Sequence, residues 1–141
     1  MEHGPVDVVI LAFGEPRFDG SVVSELGRLA GEGTIRVLDA MVVAKNEDGS
    51  VIALDIEDQP AEVKEALSFI ETGTRGMFDS EDADMLKEGM VPGSAVVALA
   101  IEHAWALGLR KALAGVGGEV AMTFRIPGPI IDDALAEIGA E

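Results

Sequence analysis

Glu102, His103 and Trp105 lie within four positions of each other, and their side chains could together bind a ligand. A carboxylate can act as an acid, a base or a cation ligand, and an indole ring offers a flat wall for stacking. Arg125 follows a later apolar segment, and its guanidinium could bind a carboxylate or a phosphate. We therefore predict that a ligand site would be built from Glu102, His103, Trp105 and Arg125.

The same residues also have a purely structural interpretation. Trp105 begins an apolar helical stripe and would then be a core residue. Glu102 would pair with a nearby cation such as Arg125 or Arg17, and Arg125 would offset the acidic side chains around it. The sequence leaves both interpretations open.

Other kinds of site find little support in the sequence. The chain has two histidines, His3 and His103, and no cysteine, so we predict no metal site within one chain. The acidic run Asp79–Asp84 lacks the spacing of a calcium loop and is better placed to cap a helix. The glycine clusters close helices rather than open them, and no serine has an evident histidine–aspartate relay. We therefore predict no catalytic residue and no cofactor, which weighs against an enzyme.

Charge is the strongest global property of the chain. Its 141 residues include 10 lysines and arginines against 26 acids, for a net charge of −16. Phosphate backbones would repel such a chain, so we expect no nucleic acid partner. We see neither a basic leader at the start nor an apolar run of the ~18 residues that a membrane helix needs. The sequence thus predicts an acidic cytoplasmic protein without a membrane span.

Apolar periodicity predicts a single α+β domain over residues 1–141, with a flexible N-terminus at 1–5 and a C-terminal helix at 127–141. Strand–helix–strand patterns occur twice, and an Asp-Gly hairpin adds one more strand. We therefore predict a ferredoxin-like fold of two βαβ units, with extra helices and a five-stranded mixed sheet of order 5-1-4-2-3. The five predicted strands are Val6–Phe13, Thr34–Ala44, Val51–Ile56, Ser94–Glu102 and Glu119–Ile126.

The predicted central strands are apolar on both alternating faces, whereas both crossover helices of this fold cover one face only. Leaving the second face in water would forfeit roughly 25 cal/mol per Å² of apolar surface. The cover could be the helix at 60–71, the C-terminal helix or another subunit. We favour the last and predict a homo-oligomer formed through the sheet face or the C-terminal helix.

Several short motifs occur in an order that resembles a known family. They are Gly4–Phe13, Gly33–Asp39, Lys45–Gly49, Pro92–Ala95, Glu102–Ala106, Gly117–Glu119 and Arg125–Pro127. The chain is similar to an uncharacterised, mostly actinobacterial family of small acidic proteins of unknown function. More distantly it resembles a membrane-associated, stress-related family, also of unknown function, whose long apolar insertion is replaced here by Thr72–Gly76. The resemblance implies a fold but no established activity.

Three functions remain in competition at this point. We expect a non-catalytic, self-associating structural or regulatory module, with a stress-related role suggested by the resemblance. The alternative is a small-ligand or cation-binding sensor that uses Glu102, His103, Trp105 and Arg125. A small enzyme of the dimeric α+β barrel kind, which pairs two such sheets around a pocket, is a third hypothesis.

Overall fold

The computed structural model describes residues 3–14, 20–55, 61–74 and 76–139, and these form an α+β protein. The chain makes two compact units, Met1–Leu109 and Arg110–Glu141. The strands are β1 (Val6–Phe13), β2 (Arg36–Lys45), β3 (Val51–Asp55) and β4 (Ala95–Glu102). The helices are α1 (Ser21–Gly31), α2 (Ala61–Ala66), α3 (Ser80–Lys87), α4 (Ala104–Gly115) and α5 (Gly128–Glu137).

The four strands form one sheet of order β1-β4-β2-β3, in which every neighbouring pair is antiparallel. The α1 crossover leaves β1 and β2 parallel, with a gap between them that β4 fills. β2 and β3 form a hairpin at Asp48-Gly49, where Gly49 has a φ of 88° that favours glycine. The Asp48 carboxylate closes the turn by accepting hydrogen bonds from the N–H and the hydroxyl of Ser50.

The predicted ferredoxin-like sheet of five strands in the order 5-1-4-2-3 is wrong. Residues 119–126, the predicted fifth strand, form no strand, so the second βαβ unit lacks its returning strand and the sheet is not mixed. Alternating apolar residues give a segment strand propensity, but a strand also needs a hydrogen-bonding neighbour. Within the described chain, residues 119–126 have no such neighbour in the sheet.

Helices cover parts of both faces of the sheet. On one face, Leu26 and Leu29 of α1, with Leu67 and Ile70 after α2, pack in a cluster with Leu99 of β4. On the other face, Ala83 and Leu86 of α3 pack against an apolar cluster formed by Met41, Val43, Val96 and Ala98. The acidic helix α3, which we did not consider as a cover from the sequence, therefore protects the centre of the second face.

The cover that α3 provides does not extend to β1. Val8 and Ile10 lie opposite Ala100 and Ala98 of β4, so they share the face on which α3 packs. Nevertheless Val6, Val8 and Ile10 are 39, 59 and 47% exposed. An apolar stripe along one outer strand of the sheet therefore remains open to water.

The second compact unit begins within α4 and ends with α5. Gly117, with a φ of 75°, turns the chain after α4, and the N–H of Gly118 caps the helix by donating to the carbonyl of Leu113. Residues 119–127 then have no regular hydrogen-bonded structure, and Pro127 precedes the first turn of α5. Large apolar side chains are exposed throughout this unit: Val116, Val120, Met122, Phe124, Ile126, Ile130, Ile131, Leu135 and Ile138.

The longest described helix, α4, has 12 residues. Over the described ranges, the structure contains no helix with the length and apolar character required to cross a membrane. Ile56, the predicted end of the third strand, and Pro60, the predicted start of the following helix, lie outside the described residues.

Candidate functional site

The end of β4 carries the most completely buried charged side chain of the described residues, that of Glu102. β4 lies between β1 and β2, and its register puts Val6 on one side of Glu102 and Arg36 on the other. The carboxylate thus lies at the last position of a central strand, with none of its residue surface exposed. A charged group in such a position requires hydrogen-bonding partners.

Three donors surround the Glu102 carboxylate. Its Oε2 accepts a hydrogen bond of 2.7 Å from the backbone N–H of Gly4. Its Oε1 lies 3.1 Å from Nδ1 of His3 and accepts a longer hydrogen bond of 3.3 Å from the Arg36 guanidinium. The strand end is therefore a small ionic cluster that joins the N-terminal segment to β2 and β4.

Opposing influences act on the pKa of Glu102. Burial is the largest, and by itself it would raise the pKa. The hydrogen bonds from Gly4 and His3, with the positive charge of Arg36, outweigh burial and hold the pKa of Glu102 below its usual range. Glu102 is therefore an ionised anchor at neutral pH rather than a proton donor.

The N-terminal segment approaches β4 closely because residue 4 is a glycine. The N–H of His103 donates a hydrogen bond of 2.8 Å to the carbonyl of Pro5, which extends the antiparallel pairing of β1 and β4. A Cβ atom at Gly4 would lie 2.5 Å from the carbonyl oxygen of His103, well inside contact distance. Only glycine fits this position, and it allows its N–H to reach the Glu102 carboxylate.

His103 and Trp105 lie beside this cluster. Nε2 of His103 is 2.7 Å from Oδ2 of Asp7 on β1. The rings of His103 and Trp105 meet edge to face, with centroids 6.2 Å apart and planes at 79°. Trp105 is 57% exposed and so is not a core residue. The His103 and Trp105 rings thus contact each other and the indole faces water, whereas the enclosed Glu102 carboxylate contacts His3, Gly4 and Arg36.

A cleft of about 220 Å³ borders the ionic cluster at His3 and Arg36. The hydroxyl of Thr74 donates a hydrogen bond of 2.8 Å to the carbonyl of Leu38, which holds one wall against β2. Cationic, acidic and hydroxyl side chains line the cleft together, and its lining residues are His3, Arg36, Leu38, Glu71, Gly73 and Thr74. Such a mixed lining suits a small polar molecule that carries charges of both signs.

Arg17 and Arg125, the two cations that the sequence suggests for Glu102, are not among its described donors. Arg17 lies outside the described residues. Arg125 is an exposed residue of the second compact unit. The donors described at Glu102 are His3, Gly4 and Arg36, and the sequence interpretation included none of them as a partner. The antiparallel pairing of β2 with β4 is the signal that would have indicated Arg36.

A second buried carboxylate, Asp39, lies on β2 just after a β-bulge. Its Oδ2 accepts hydrogen bonds from the backbone N–H groups of Gly76 and Phe78, at 3.2 and 2.9 Å. Its Oδ1 is buried with no hydrogen-bond partner in the described part of the chain. Asp39 therefore anchors the segment before α3, and we did not single it out from the sequence.

The predicted role of Asp79 is confirmed. Its side chain accepts hydrogen bonds from the N–H groups of Glu81 and Asp82, and the Asp82 side chain accepts one from the N–H of Asp79. This reciprocal capping box starts α3. Across the described ranges, histidines and acidic residues do not gather in any group of three or more that could hold a metal ion.

Comparison with known proteins places the chain in a family. No curated protein and no solved structure matches it. The family model described as "Family of unknown function (DUF6325)" matches residues 2–141, which is nearly the whole sequence. The expected resemblance to an uncharacterised family agrees with this match. The chain belongs to DUF6325, a family of unknown function.

Proposed function

We propose that the protein is a non-catalytic, self-associating structural or regulatory module. The observation that carries this proposal is the concentration of exposed apolar side chains in residues 116–138. A folded protein rarely leaves so many large apolar side chains of one segment in water unless the segment binds something.

The exposed side chains follow the geometry of the backbone that carries them. Along residues 119–126 every second residue is apolar, and Val120, Met122, Phe124 and Ile126 are 50 to 78% exposed. In an extended chain these four side chains share one face. Ile131 and Leu135 of α5 and Ile138 at its C-cap recur at helical spacing and form a stripe. Both segments therefore carry a pattern that can form an apolar surface.

The energy available from covering these surfaces is large. Full burial of one such side chain contributes about 1.5–3 kcal/mol. Association costs roughly 4–15 kcal/mol in lost translational and rotational freedom and needs about 1,000 Å² of buried surface. Four side chains in residues 119–126 and three along α5 and its C-terminal end are each partly exposed, and two copies together can gain an energy of the same size as that cost.

A second copy of the chain is the partner that the proposal names, through the sheet face or the C-terminal helix. Each copy carries a net charge of −16, so two copies repel each other at long range. Salt screens this repulsion and strengthens apolar burial. Self-association should therefore become stronger as ionic strength rises, which is opposite to the behaviour of a complex held by charge pairs.

Analytical ultracentrifugation over a range of micromolar concentrations tests this function. We expect a dimer or larger oligomer whose dissociation constant falls with added salt. Phe124→Lys, within residues 119–126, should weaken the assembly at least tenfold. Met85→Lys is the matched control, because Met85 is likewise exposed, at 74%, but belongs to α3 and not to residues 116–138. A wild-type protein that stays monomeric at all concentrations would contradict the proposal.

The resemblance stated above supports the wider setting of this proposal. We place the module in the cytoplasm of an actinobacterium and link it to a stress response. A fluorescent fusion, followed before and after osmotic and oxidative stress, measures both points. Localisation to the membrane, or a level and distribution unaffected by stress, would remove this part of the proposal.

Small-ligand binding is a second candidate, favoured by the cleft beside the ionic cluster. A small zwitterion could place its anionic group near Arg36 and its cationic group near Glu71. A thermal-shift screen with free amino acids and betaines tests this, with Arg36→Gln as the disabling variant. Arg28→Gln is a suitable control, because Arg28 pairs with Glu25 and Glu32 on the exposed surface of α1. No stabilisation by any compound would count against the candidate.

A further inference from the structure

We propose that residues 119–126 of one copy add as a strand to the outer edge of β1 in a second copy. This inference rests on the proposed self-association and names the surfaces that carry it. The added strand would run antiparallel to β1, with Ile126 opposite Val6 and Glu119 opposite Phe13. Each copy would donate its segment to the other, which gives a two-fold dimer with two identical contacts.

The acceptor is an edge strand without the usual protection. β1 is the first strand in the order β1-β4-β2-β3, so among the described residues one of its two long edges has no strand beside it. It is eight residues long and contains no proline, no lysine and one charged residue, Asp7. Natural proteins normally protect a strand edge of this length, because it offers a ready template for another strand.

The donor has the length and pattern of the missing strand. Glu119–Ile126 has eight residues, as β1 has, and within the described chain it pairs with no strand. Its apolar side chains alternate with Glu119, Ala121, Thr123 and Arg125. Val120, Met122, Phe124 and Ile126 are exposed, and in an extended strand their alternation would put them on one face, as a strand laid on an open sheet requires.

One register satisfies both segments along their whole length. With Ile126 opposite Val6, Phe124 lies opposite Val8 and Met122 lies opposite Ile10. Each exposed apolar residue of β1 then meets an exposed apolar residue of the donor, at the 4.5–5.5 Å Cβ spacing of cross-strand pairs. A shift by one residue would turn the apolar face of the donor to the opposite side of the sheet.

Charge supports the same register. β1 carries one charged residue, Asp7, and the donor carries one cation, Arg125. Antiparallel pairing over all eight positions puts Arg125 directly opposite Asp7. Opposite charges at facing positions of a sheet favour pairing, whereas like charges oppose it. Length, apolar pattern and charge thus agree on a single alignment.

Disulfide trapping between separate chains tests the pairing, since the native sequence has no cysteine. One chain carries Val8→Cys and a differently tagged chain carries Phe124→Cys. A second mixture uses Val9→Cys with Thr123→Cys, because facing positions alternate between the two kinds of antiparallel pair and one kind brings the Cα atoms closer. We expect a disulfide-linked heterodimer in at least one mixture after mild oxidation. Val8→Cys mixed with Val120→Cys should not link, because the residues would lie four positions apart along the strands.

The outcomes separate this inference from the proposal on which it rests. A protein that sediments as an oligomer but forms no heterodimer in either mixture would overturn strand exchange and leave self-association intact. A double variant, Val8→Cys with Phe124→Cys, that links only within one chain would overturn it too. A strictly monomeric wild-type protein would overturn both. An interchain link formed at least tenfold faster than in the offset control would support the exchange.

Discussion

β4 and residues 119–126 are two apolar segments of eight residues each, on either side of α4, and they differ in almost every structural respect. β4 is the central strand of the sheet, with six of its eight residues buried. Every residue of 119–126 is exposed, and the segment has no hydrogen-bonded secondary structure. Their sequences alone predicted a strand for both.

The difference between them is the availability of neighbours. β4 is paired along its full length with β1 on one side and with β2 on the other, so its backbone groups are satisfied at both edges. Strand propensity spans only about 1 kcal/mol and depends on these surroundings. Residues 119–126 therefore have the composition of a strand but no neighbouring strand in the sheet that the structure describes.

Truncating one side chain in each segment should give the largest difference in the free energy of unfolding. Leu99 of β4 is 4% exposed and packs in a cluster with Val37 and Ile70. Leu99→Ala should lower the free energy of unfolding by about 2–5 kcal/mol. Met122 is 71% exposed, and Met122→Ala should change the free energy by no more than about 0.5 kcal/mol in dilute, monomeric protein.

Urea unfolding at two protein concentrations measures both variants of this pair. At high concentration Met122→Ala should also lose stability, because the side chain then contributes to the assembly. Equal costs for Leu99→Ala and Met122→Ala in dilute protein would contradict the contrast between a buried and an exposed segment.

The same contrast explains which parts of the fold were predictable. The hairpin at Asp48-Gly49 follows from local turn chemistry, and the positions of β1, β2 and β4 follow from apolar runs bounded by glycine and proline. The fifth strand was predicted from propensity alone. Whether residues 119–126 find a partner depends on contacts more than 100 residues away in sequence, to which local patterns are blind. The cover by α3 was missed because its first turn is acidic.

Removing the charge of Glu102 at the end of β4, compared with a charge in residues 119–126, should give the next largest difference in the free energy of unfolding. Glu102→Gln removes the charge that Gly4, His3 and Arg36 surround and leaves donors facing an amide. Hydrogen bonds to charged groups contribute about 1.5–3 kcal/mol, so we expect a loss of about 2 kcal/mol at pH 7. Glu119→Gln is the matched control in the exposed segment and should change the free energy by less than about 0.5 kcal/mol. If Glu102→Gln costs no more than Glu119→Gln, the ionic cluster does not stabilise the fold.

Acidification should reduce the difference in the free energy of unfolding between the wild-type protein and Glu102→Gln. The pKa of Glu102 is lower in the folded protein than in the unfolded chain, so ionisation favours folding. This contribution is complete above the unfolded pKa of about 4.3 and disappears as the pH falls through the folded pKa. Urea unfolding of both proteins from neutral to acidic pH measures this difference. If the difference in the free energy of unfolding widens on acidification, the pKa of Glu102 is not lowered in the folded protein.

The proposed ligand site at Glu102, His103, Trp105 and Arg125 stays a prediction. The structure shows an edge-to-face contact between His103 and Trp105, whereas the described partners of Glu102 are His3, Gly4 and Arg36. The donors to Glu102 lie about 100 and 66 residues earlier in the chain, so only strand register could identify them. The burial of Asp39 is not predictable from the sequence, because a bulge at Leu38 shifts its register and no sequence signal marks that bulge.

Exchanging the charges at Asp7 and Arg125 should have the smallest effect of these changes. It is also the most direct test of the strand pairing proposed for residues 119–126. Asp7→Arg and Arg125→Asp each put like charges opposite one another at both contacts of the proposed dimer. At about 0.2–1 kcal/mol for each pair, either change should weaken the dimer severalfold. Combining the two restores opposite charges and the net charge of −16, so the double variant should associate more tightly than either single variant.

The control is Arg125→Asp combined with Glu88→Arg, which keeps the same net charge without the facing pair. Its dimer affinity should not recover. Asp7→Arg also loses the contact with His103, so the informative comparison is between the double variant and Asp7→Arg. Equal dissociation constants for those two would place Arg125 away from Asp7 and end the case for this register.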